Sequence, residues 1–327
     1  MINAKIVGTG SFSPSIHLTN EQLEKELGQP IKESIATRVG IKARYICSDD
    51  ESSADLGEGA ALKALEDANM QPLDLDLIIV ATDTPEYLSP STAAVIQGRI
   101  GAKNAGVFDI NSSCAGSATA LDVASSMIMR GGYKNIMVIG VYAMTKYIEK
   151  DDAAQRPIYA DGAGAVILSA TEEDRGFLAS QLIADGTQYD FVGIYAGGTK
   201  KPMTVERVLN KEHLLTTLKP LPGNRNLELW PPLVEKVMNK IGKTAKDVDH
   251  FIFTQINKSV IEQVLETIGV PKEKATYIMG EYGYTGSACV LMALDIARKK
   301  GTVKPGDIVI ITGSGVGFAV ASVAFKL

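Results

Sequence analysis

The sequence predicts an α/β protein in which one unit is used twice, and three observations carry that expectation. Residues 65–85, LEDANMQPLDLDLIIVATDTP, and residues 237–257, VMNKIGKTAKDVDHFIFTQIN, share a helical tail, a polar linker, an Asp-x-Asp and a short apolar strand ending in Thr. Residues 114–140, CAGSATALDVASSMIMRGGYKNIMVIG, parallel YTGSACVLMALDIARKKGTVKPGDIVIITG (284–313), each with Gly-Ser-Ala two residues after the first position. Both of the latter run on through a helical pattern, a glycine turn and a strand. Short strand, helix and return strand give parallel sheets covered by helices. The expected architecture is therefore two similar α/β halves packed face to face, residues 1–170 and 171–327.

Composition narrows the function classes. The formal net charge is −5 with no basic run, which argues against nucleic-acid binding. No apolar run reaches the roughly 18 residues of a membrane span, and the N-terminus lacks a signal-peptide pattern. The three cysteines, Cys47, Cys114 and Cys289, have no CxxC spacing and form neither a disulfide framework nor a zinc site. No His/Cys/Asp cluster has metal-ligand spacing. A cytoplasmic protein with free thiols is the expectation.

Taken in chain order, KIVGTGSFSP (5–14) opens on a strand. Its Gly8-x-Gly10 lacks the third glycine and the following helix of a dinucleotide loop. In the middle, the apolar run AGVFDI leads into NSSCAGSATALD, which places Cys114 where a buried strand turns into a central helix. A helix N-terminus presents free N–H groups and a positive dipole end, so a thiol there is biased toward thiolate. The alternative for Cys114 is an inert buried cysteine. The internal repeat places Tyr284 opposite Cys114, and Cys289 falls a turn inside its helix, in the core. YADGAGAVILSA (159–170) is a tight turn feeding a strand. ITGSGVGFAVASVAF (311–325) is strand, glycine loop and strand without P-loop residues. Gly315, Val316 and Gly317 are either a plain turn or a source of backbone N–H donors for a thioester oxygen.

Together KIVGTGSFSP, TRVGIKARYI, DINSSCAGSATALD, YADGAGA and KPGDIVIITGSGVGF, in this order along nearly the whole chain, resemble the condensing enzymes of the thiolase superfamily, and β-ketoacyl-acyl-carrier-protein synthase III in particular. The resemblance implies a thiolase fold with its two duplicated halves in five layers, and a homodimer. It implies that Cys114 takes an acyl group from acyl-CoA and that the enzyme condenses it with a malonyl thioester on acyl carrier protein. The backbone N–H groups of Cys114 and of the Gly315–Gly317 loop would form the oxyanion hole. No cofactor is implied beyond the CoA or phosphopantetheine thioester that serves as substrate.

The departures from the family pattern are as informative. Its His-Gln-Ala-Asn reads Thr254-Gln255-Ile256-Asn257, and its Gly-Asn-Thr-Ser reads Gly283-Tyr284-Thr285-Gly286. The histidine and asparagine that bind the malonyl thioester oxygen are thus Thr254 and Tyr284. Losing such a donor typically costs about 3–4 kcal/mol, although each replacement offers one hydroxyl. His250, four residues before Thr254, reads as a strand-edge or surface histidine about 13 Å away along the strand, and His213 lies in a polar loop. The adenine-stacking tryptophan of the family is Ser34 here, while Arg38 is kept for CoA contact. The residue that caps the acyl pocket is Ser89, which leaves room for a longer or branched chain, and Asn257 joins Arg38 and Ser89 as a substrate-binding candidate. The position used for carrier docking is Ser259.

Three readings follow for a divergent member of fatty-acid or polyketide biosynthesis. One is C–C bond formation, with Thr254 and Tyr284 as substitute donors or with an already activated acceptor. A second is transfer of the acyl group to an oxygen, nitrogen or sulfur nucleophile. The third is a partner subunit of a heteromeric ketosynthase.

Overall fold

The computed structural model describes residues 2–327. The first half contains β1 (Asn3–Phe12), β2 (Ile16–Thr19), α1 (Asn20–Leu27), β3 (Ala43–Ile46), α2 (Ser53–Ala68), β4 (Leu77–Ala81), α3 (Thr92–Ile100), β5 (Gly106–Ile110), α4 (Gly116–Met129), β6 (Asn135–Ala143) and β7 (Asp161–Thr171). The second half contains β8 (Gly176–Ala184), β9 (Val192–Gly193), α5 (Val205–Leu209), β10 (Thr216–Thr217), α6 (Arg225–Asn239), β11 (His250–Phe253), α7 (Lys258–Thr267), α8 (Met279–Tyr282), α9 (Cys289–Lys299), β12 (Ile308–Gly315) and β13 (Ala319–Lys326).

The repeated Asp-x-Asp builds the same corner twice. Asp74 and Asp247 each accept the N–H three residues before them (Gln71 and Thr244, both 2.8 Å) and so close a short 3₁₀ turn. The second aspartate of each pair ties the incoming strand to its neighbour. Asp76 accepts the Asn135 N–H at the start of β6, and Asp249 accepts the Ile308 N–H at the start of β12, both at 2.8 Å. Local hydrogen bonds of short polar side chains thus fix where β4 and β11 enter their sheets.

The first sheet runs β1-β7-β6-β4-β5 and the second β11-β12-β13-β8. Only β5/β4/β6 and β11/β12 pair in parallel, so the expectation of parallel sheets is corrected to mixed ones. β1/β7, β7/β6, β12/β13 and β13/β8 are antiparallel. The physical reason is the short return from β12 to β13, which has only three residues between strands, whereas a parallel neighbour needs a crossover of a dozen or more. In the second half the counterpart of β5 is reduced to one bridge, Phe251 with Ala275.

Helices α2 and α3 cover the outer face of the first sheet, α4 and α9 lie between the sheets, and α6 and α7 cover the second, which makes five layers. The glycines of KIVGTG serve this packing. A Cβ on Gly8 would meet Ala64 O at 2.5 Å, and one on Gly10 would meet Ala60 O at 2.4 Å, so α2 sits directly on the β1 backbone. The two Gly-Ser-Ala copies interlock at the centre, where Ser117 Oγ donates to Ser287 O (2.5 Å) and Ser287 Oγ to Val141 O (2.7 Å).

A buried carboxylate joins the first strand to the last helix. Asp295 is fully buried and accepts from Thr9 Oγ1 (2.9 Å), Ser11 Oγ (2.6 Å) and Lys299 Nζ (2.9 Å). Asp295→Ala leaves the buried Thr9 hydroxyl and the partly buried Ser11 hydroxyl without this acceptor, and each unsatisfied buried group costs about 1–3 kcal/mol. The expected result is a loss of roughly 2–4 kcal/mol of stability, read as a lower urea midpoint at unchanged slope.

Candidate active site

Cys114 follows β5 by a four-residue corner. Ser113 holds a left-handed φ of 47°, a conformation that is uncommon for a non-glycine residue. The Ser113 N–H donates to Asn111 Oδ1 (3.1 Å), and Gly116 N–H to Ser113 O (2.8 Å), which closes the corner onto α4. The strained turn puts the sulfur at the floor of a cavity of about 260 Å³ while the residue itself stays 5% exposed. The cavity wall includes Asp83, Tyr142, Tyr159, Tyr284, Asn226 and Gly315.

The cavity opens at the carboxyl ends of β5, β4 and β6. Because β4 pairs in parallel with both neighbours, with Ala81 opposite Ile110 and Gly140, the residues just beyond these ends converge. Cys114 follows β5, Asp83 follows β4, and Tyr142 stands one residue before the end of β6. Crevices at the carboxyl ends of parallel strands are where open α/β sheets bind ligands. From the second half, Ser314, Gly315 and Val316 close the opposite wall. A Cβ on Gly315 would lie 2.6 Å from Cys114 N, so this strand end can approach only as glycine.

Tyr284 is fixed by its backbone, with its N–H donating to Ile158 O (3.0 Å) and its carbonyl accepting Ala160 N–H (2.9 Å). Its ring packs 5.7 Å from Tyr159 and 6.2 Å from Tyr142. Its side chain shares the cavity wall with Cys114, and its hydroxyl acts on the thiol in the direction that favours the thiolate. Burial and the nearby thiol hold the Tyr284 phenol well above the usual tyrosine range, so it stays a donor.

The expected bias of Cys114 toward thiolate is corrected. Burial first, and the Asp83 carboxylate second, push the thiol up, and they outweigh the Tyr284 hydroxyl and the residue's own N–H. A charge enclosed without a cation is disfavoured even at a helix start, and α4 begins only at Gly116, two residues later.

The other candidates lie in different places. Thr254 is 1% exposed, and its Oγ1 accepts the Ser314 N–H at 2.8 Å; it is set behind β12 and off the cavity wall. Asn257 caps α7, accepting from Ser259 Oγ (2.9 Å) and the Ser259 N–H (3.1 Å), which also occupies Ser259. Arg38 and Ser89 are exposed and off the wall; Gly317 is half-buried and off it too, while Gly315 and Val316 line it. His250 does start an edge strand, but it is 2% exposed rather than at the surface, because its Nε2 pairs with Thr276 Oγ1 at 2.6 Å. His213 lies off the wall as well. Cys289 is core, its thiol pushed up to about 12 by burial.

Of the wall residues that were not sequence candidates, three bear on the chemistry of the site. Arg225 stacks its guanidinium 4.1 Å above the Phe318 ring. Asn226 accepts from Ser314 Oγ at 3.1 Å. Asp83 stands one residue after Thr82, where the second half has Gln255 after Thr254, so the repeat carried no signal for a carboxylate there.

Comparison with known proteins adds the family. A family model described as 3-oxoacyl-[acyl-carrier-protein (ACP)] synthase III matches residues 108–186, and one for its C-terminal part matches residues 238–327. A β-ketoacyl-[acyl-carrier-protein] synthase III of Caldanaerobacter subterraneus is 37% identical over 99% of this chain and 98% of its own. One from Natranaerobius thermophilus is 36% identical over the full length of both. Among solved structures, the 3-oxoacyl-[acyl-carrier-protein] synthase III of Aquifex aeolicus superposes with a TM-score of 0.88 at 32% identity, covering 99% of this chain and 100% of that one. A priming β-ketosynthase of a polyketide pathway superposes at 0.89 with 27% identity, covering 99% and 96%.

Proposed function

Since the chain belongs to the β-ketoacyl-[acyl-carrier-protein] synthase III family, a class of condensing acyltransferases, we propose that Cys114 takes the acyl group from an acyl-CoA and passes it to a carbon acceptor carried on acyl carrier protein. The observation that carries this reading is the Cys114 corner itself. It combines a thiol on the wall of a cavity, a glycine strand end against the Cys114 N–H, and a tyrosine on the same wall whose hydroxyl favours the thiolate. The Cys114 and Val316 N–H groups are the oxyanion donors of the loading step, and Tyr284 is the donor facing the thioester of the acceptor. Thr254 acts through Ser314, holding β12 in place, and is a positioning residue. Arg38, Ser89 and Asn257 contribute to substrate binding from outside the cavity. The substrate's thioester arm is the only small molecule required. The working protein is a cytoplasmic homodimer.

The second reading, transfer to an oxygen, nitrogen or sulfur acceptor, is favoured by one observation: the Thr254 hydroxyl is engaged with the Ser314 N–H and stands off the wall where the family has a histidine. Intact-protein mass spectrometry with a panel of acyl-CoAs, followed by a chase with malonyl-carrier protein, separates the two. Release of a β-ketoacyl product supports carbon transfer. An adduct that survives the chase moves the acceptor to the second reading. Absence of any adduct overturns both.

Tyr284→Phe keeps the ring packing and removes only the hydroxyl. The hydroxyl favours the thiolate, and a donor that closes on the charged sulfur during loading contributes about 1.5–3 kcal/mol, so loading at neutral pH is expected to slow by roughly 10- to 100-fold. The pH at which iodoacetamide alkylates Cys114 at half its maximal rate should move upward. An unchanged alkylation profile would remove Tyr284 from the activation of the thiol.

A further inference from the structure

We propose that Asp83 is the general base and acid of the loading step, a role that rests on Cys114 being the acyl acceptor. Asp83 is a carboxylate on the wall that holds Cys114 and is the only one among the described residues lining that cavity; no histidine lines it either. Its Oδ1 is enclosed and has no hydrogen-bond partner. Unpartnered buried carboxylate oxygens are rare in folded proteins and call for an explanation.

The placement is built rather than incidental. Thr82 N–H donates to Ile110 O of β5 (3.1 Å), and Ala143 N–H, at the end of β6, donates to Thr84 Oγ1 (2.9 Å). Thr84 N–H donates to Thr82 Oγ1 (3.0 Å), and Ser53 Oγ donates to Thr84 O (2.5 Å). The residues on both sides of Asp83 are therefore clamped to the two strands that carry Cys114 and Tyr142. The backbone at Asp83 is thereby fixed from both sides, which places its carboxylate on the wall without a partner of its own.

The surroundings select the role. The other titratable groups of the wall are Cys114, Tyr142, Tyr159, Tyr284 and Arg225. The three phenols are all held above the usual tyrosine range and accept no proton near neutrality. Arg225 is engaged with Gln188 and Phe318. Burial raises the Asp83 carboxyl to about 6, so it is largely ionised at pH 7 yet basic enough to take a proton. Cys114, by contrast, is held as the thiol and needs a base in order to attack.

In the step, the Cys114 sulfur attacks the thioester carbon and its S–H proton passes to Asp83, directly or through one water. The tetrahedral intermediate then collapses with cleavage of the bond to the donor sulfur. The leaving thiolate recovers the proton from Asp83, so the products are acyl-Cys114 and a free thiol, with the carboxylate restored.

The test compares wild type, Asp83→Asn and Cys114→Ala in stopped-flow acylation by acetyl-CoA and by p-nitrophenyl acetate, from pH 5 to 9, with thermal unfolding as the folding control. Wild-type acylation should fall as pH drops through about 6, because protonation removes the base. Asp83→Asn should be slower at pH 7 by on the order of 10²-fold, without the break near 6. A purely electrostatic Asp83 gives the opposite result: removing its charge lowers the thiol's pKa and makes Asp83→Asn faster, which overturns the proposal. Equal rates and profiles in the two proteins overturn it as well. Should Asp83→Asn unfold, the wild-type profile decides alone, since no break between pH 5 and 7 is incompatible with this base. The ester keeps the two readings apart, because it tests the base even when acetyl-CoA is not a donor. Failure of both reagents at Cys114 overturns both.

Discussion

Cys114→Ala eliminates the acyl-enzyme mass shift and lowers turnover by on the order of 10⁴-fold or more, since removing a covalent nucleophile leaves only binding and oxyanion stabilisation. Its effect on folding is small, because one sulfur is lost from a site that already borders a cavity. The checks are intact-protein mass after incubation with acyl-CoA, steady-state turnover and the unfolding midpoint. Turnover that persists without Cys114 would remove the covalent mechanism and return the residue to the buried, inert class of cysteine. The internal control is Cys289, which is fully buried in the core and off the cavity wall, its thiol pushed up to about 12; alkylation of the native protein should not reach it on the timescale of Cys114 acylation.

Gly315→Ala is the second large effect, and it acts through the backbone of the other half. The added methyl lies 2.6 Å from Cys114 N, 2.8 Å from Ser113 Cβ and 2.9 Å from Ser112 O. These neighbours belong to the Cys114 corner, and most are backbone, so no flexible side-chain end can move aside. Overpacking of this kind costs about 1–3 kcal/mol. It also displaces the N–H donors from the position a thioester oxygen needs, and losing one such donor costs on the order of 10²–10³ in rate. Loading should therefore drop far more than the stability loss explains, with acyl-CoA binding retained. Single-turnover acylation at saturating acyl-CoA separates the two effects, and a variant that loads at the wild-type rate would take the Gly315 strand end out of the oxyanion site.

The duplication was legible because it is written in short-range chemistry. Asp74 and Asp76, repeated as Asp247 and Asp249, make hydrogen bonds three residues away or to the strand next door. The two Gly-Ser-Ala copies announce close helix packing by their size alone. The Cys114 corner was legible for the same reason, since small residues between an apolar run and a helical run leave few alternatives. The antiparallel pairings were not read, because β1, β7, β8 and β13 look like any buried strand and their direction is set by connection length and sheet order.

The sequence by itself determined the repeat, the place of Cys114 at a strand-to-helix corner and the family pattern with its two substitutions at Thr254 and Tyr284. Tertiary structure decided what those substitutions do. Tyr284 stands on the wall with Cys114 because its backbone is pinned between Ile158 and Ala160, whereas Thr254 turns its hydroxyl to Ser314 and leaves the wall. It also decided the protonation of the site. Helix-start position alone favours a thiolate, but burial and a carboxylate arriving from a different strand reverse that preference. Asp83 lies 31 residues before Cys114 in the chain, and only the parallel pairing of β4 with β5 makes them neighbours. Ionisation depends on the space around a group, and that space is assembled from residues remote in sequence.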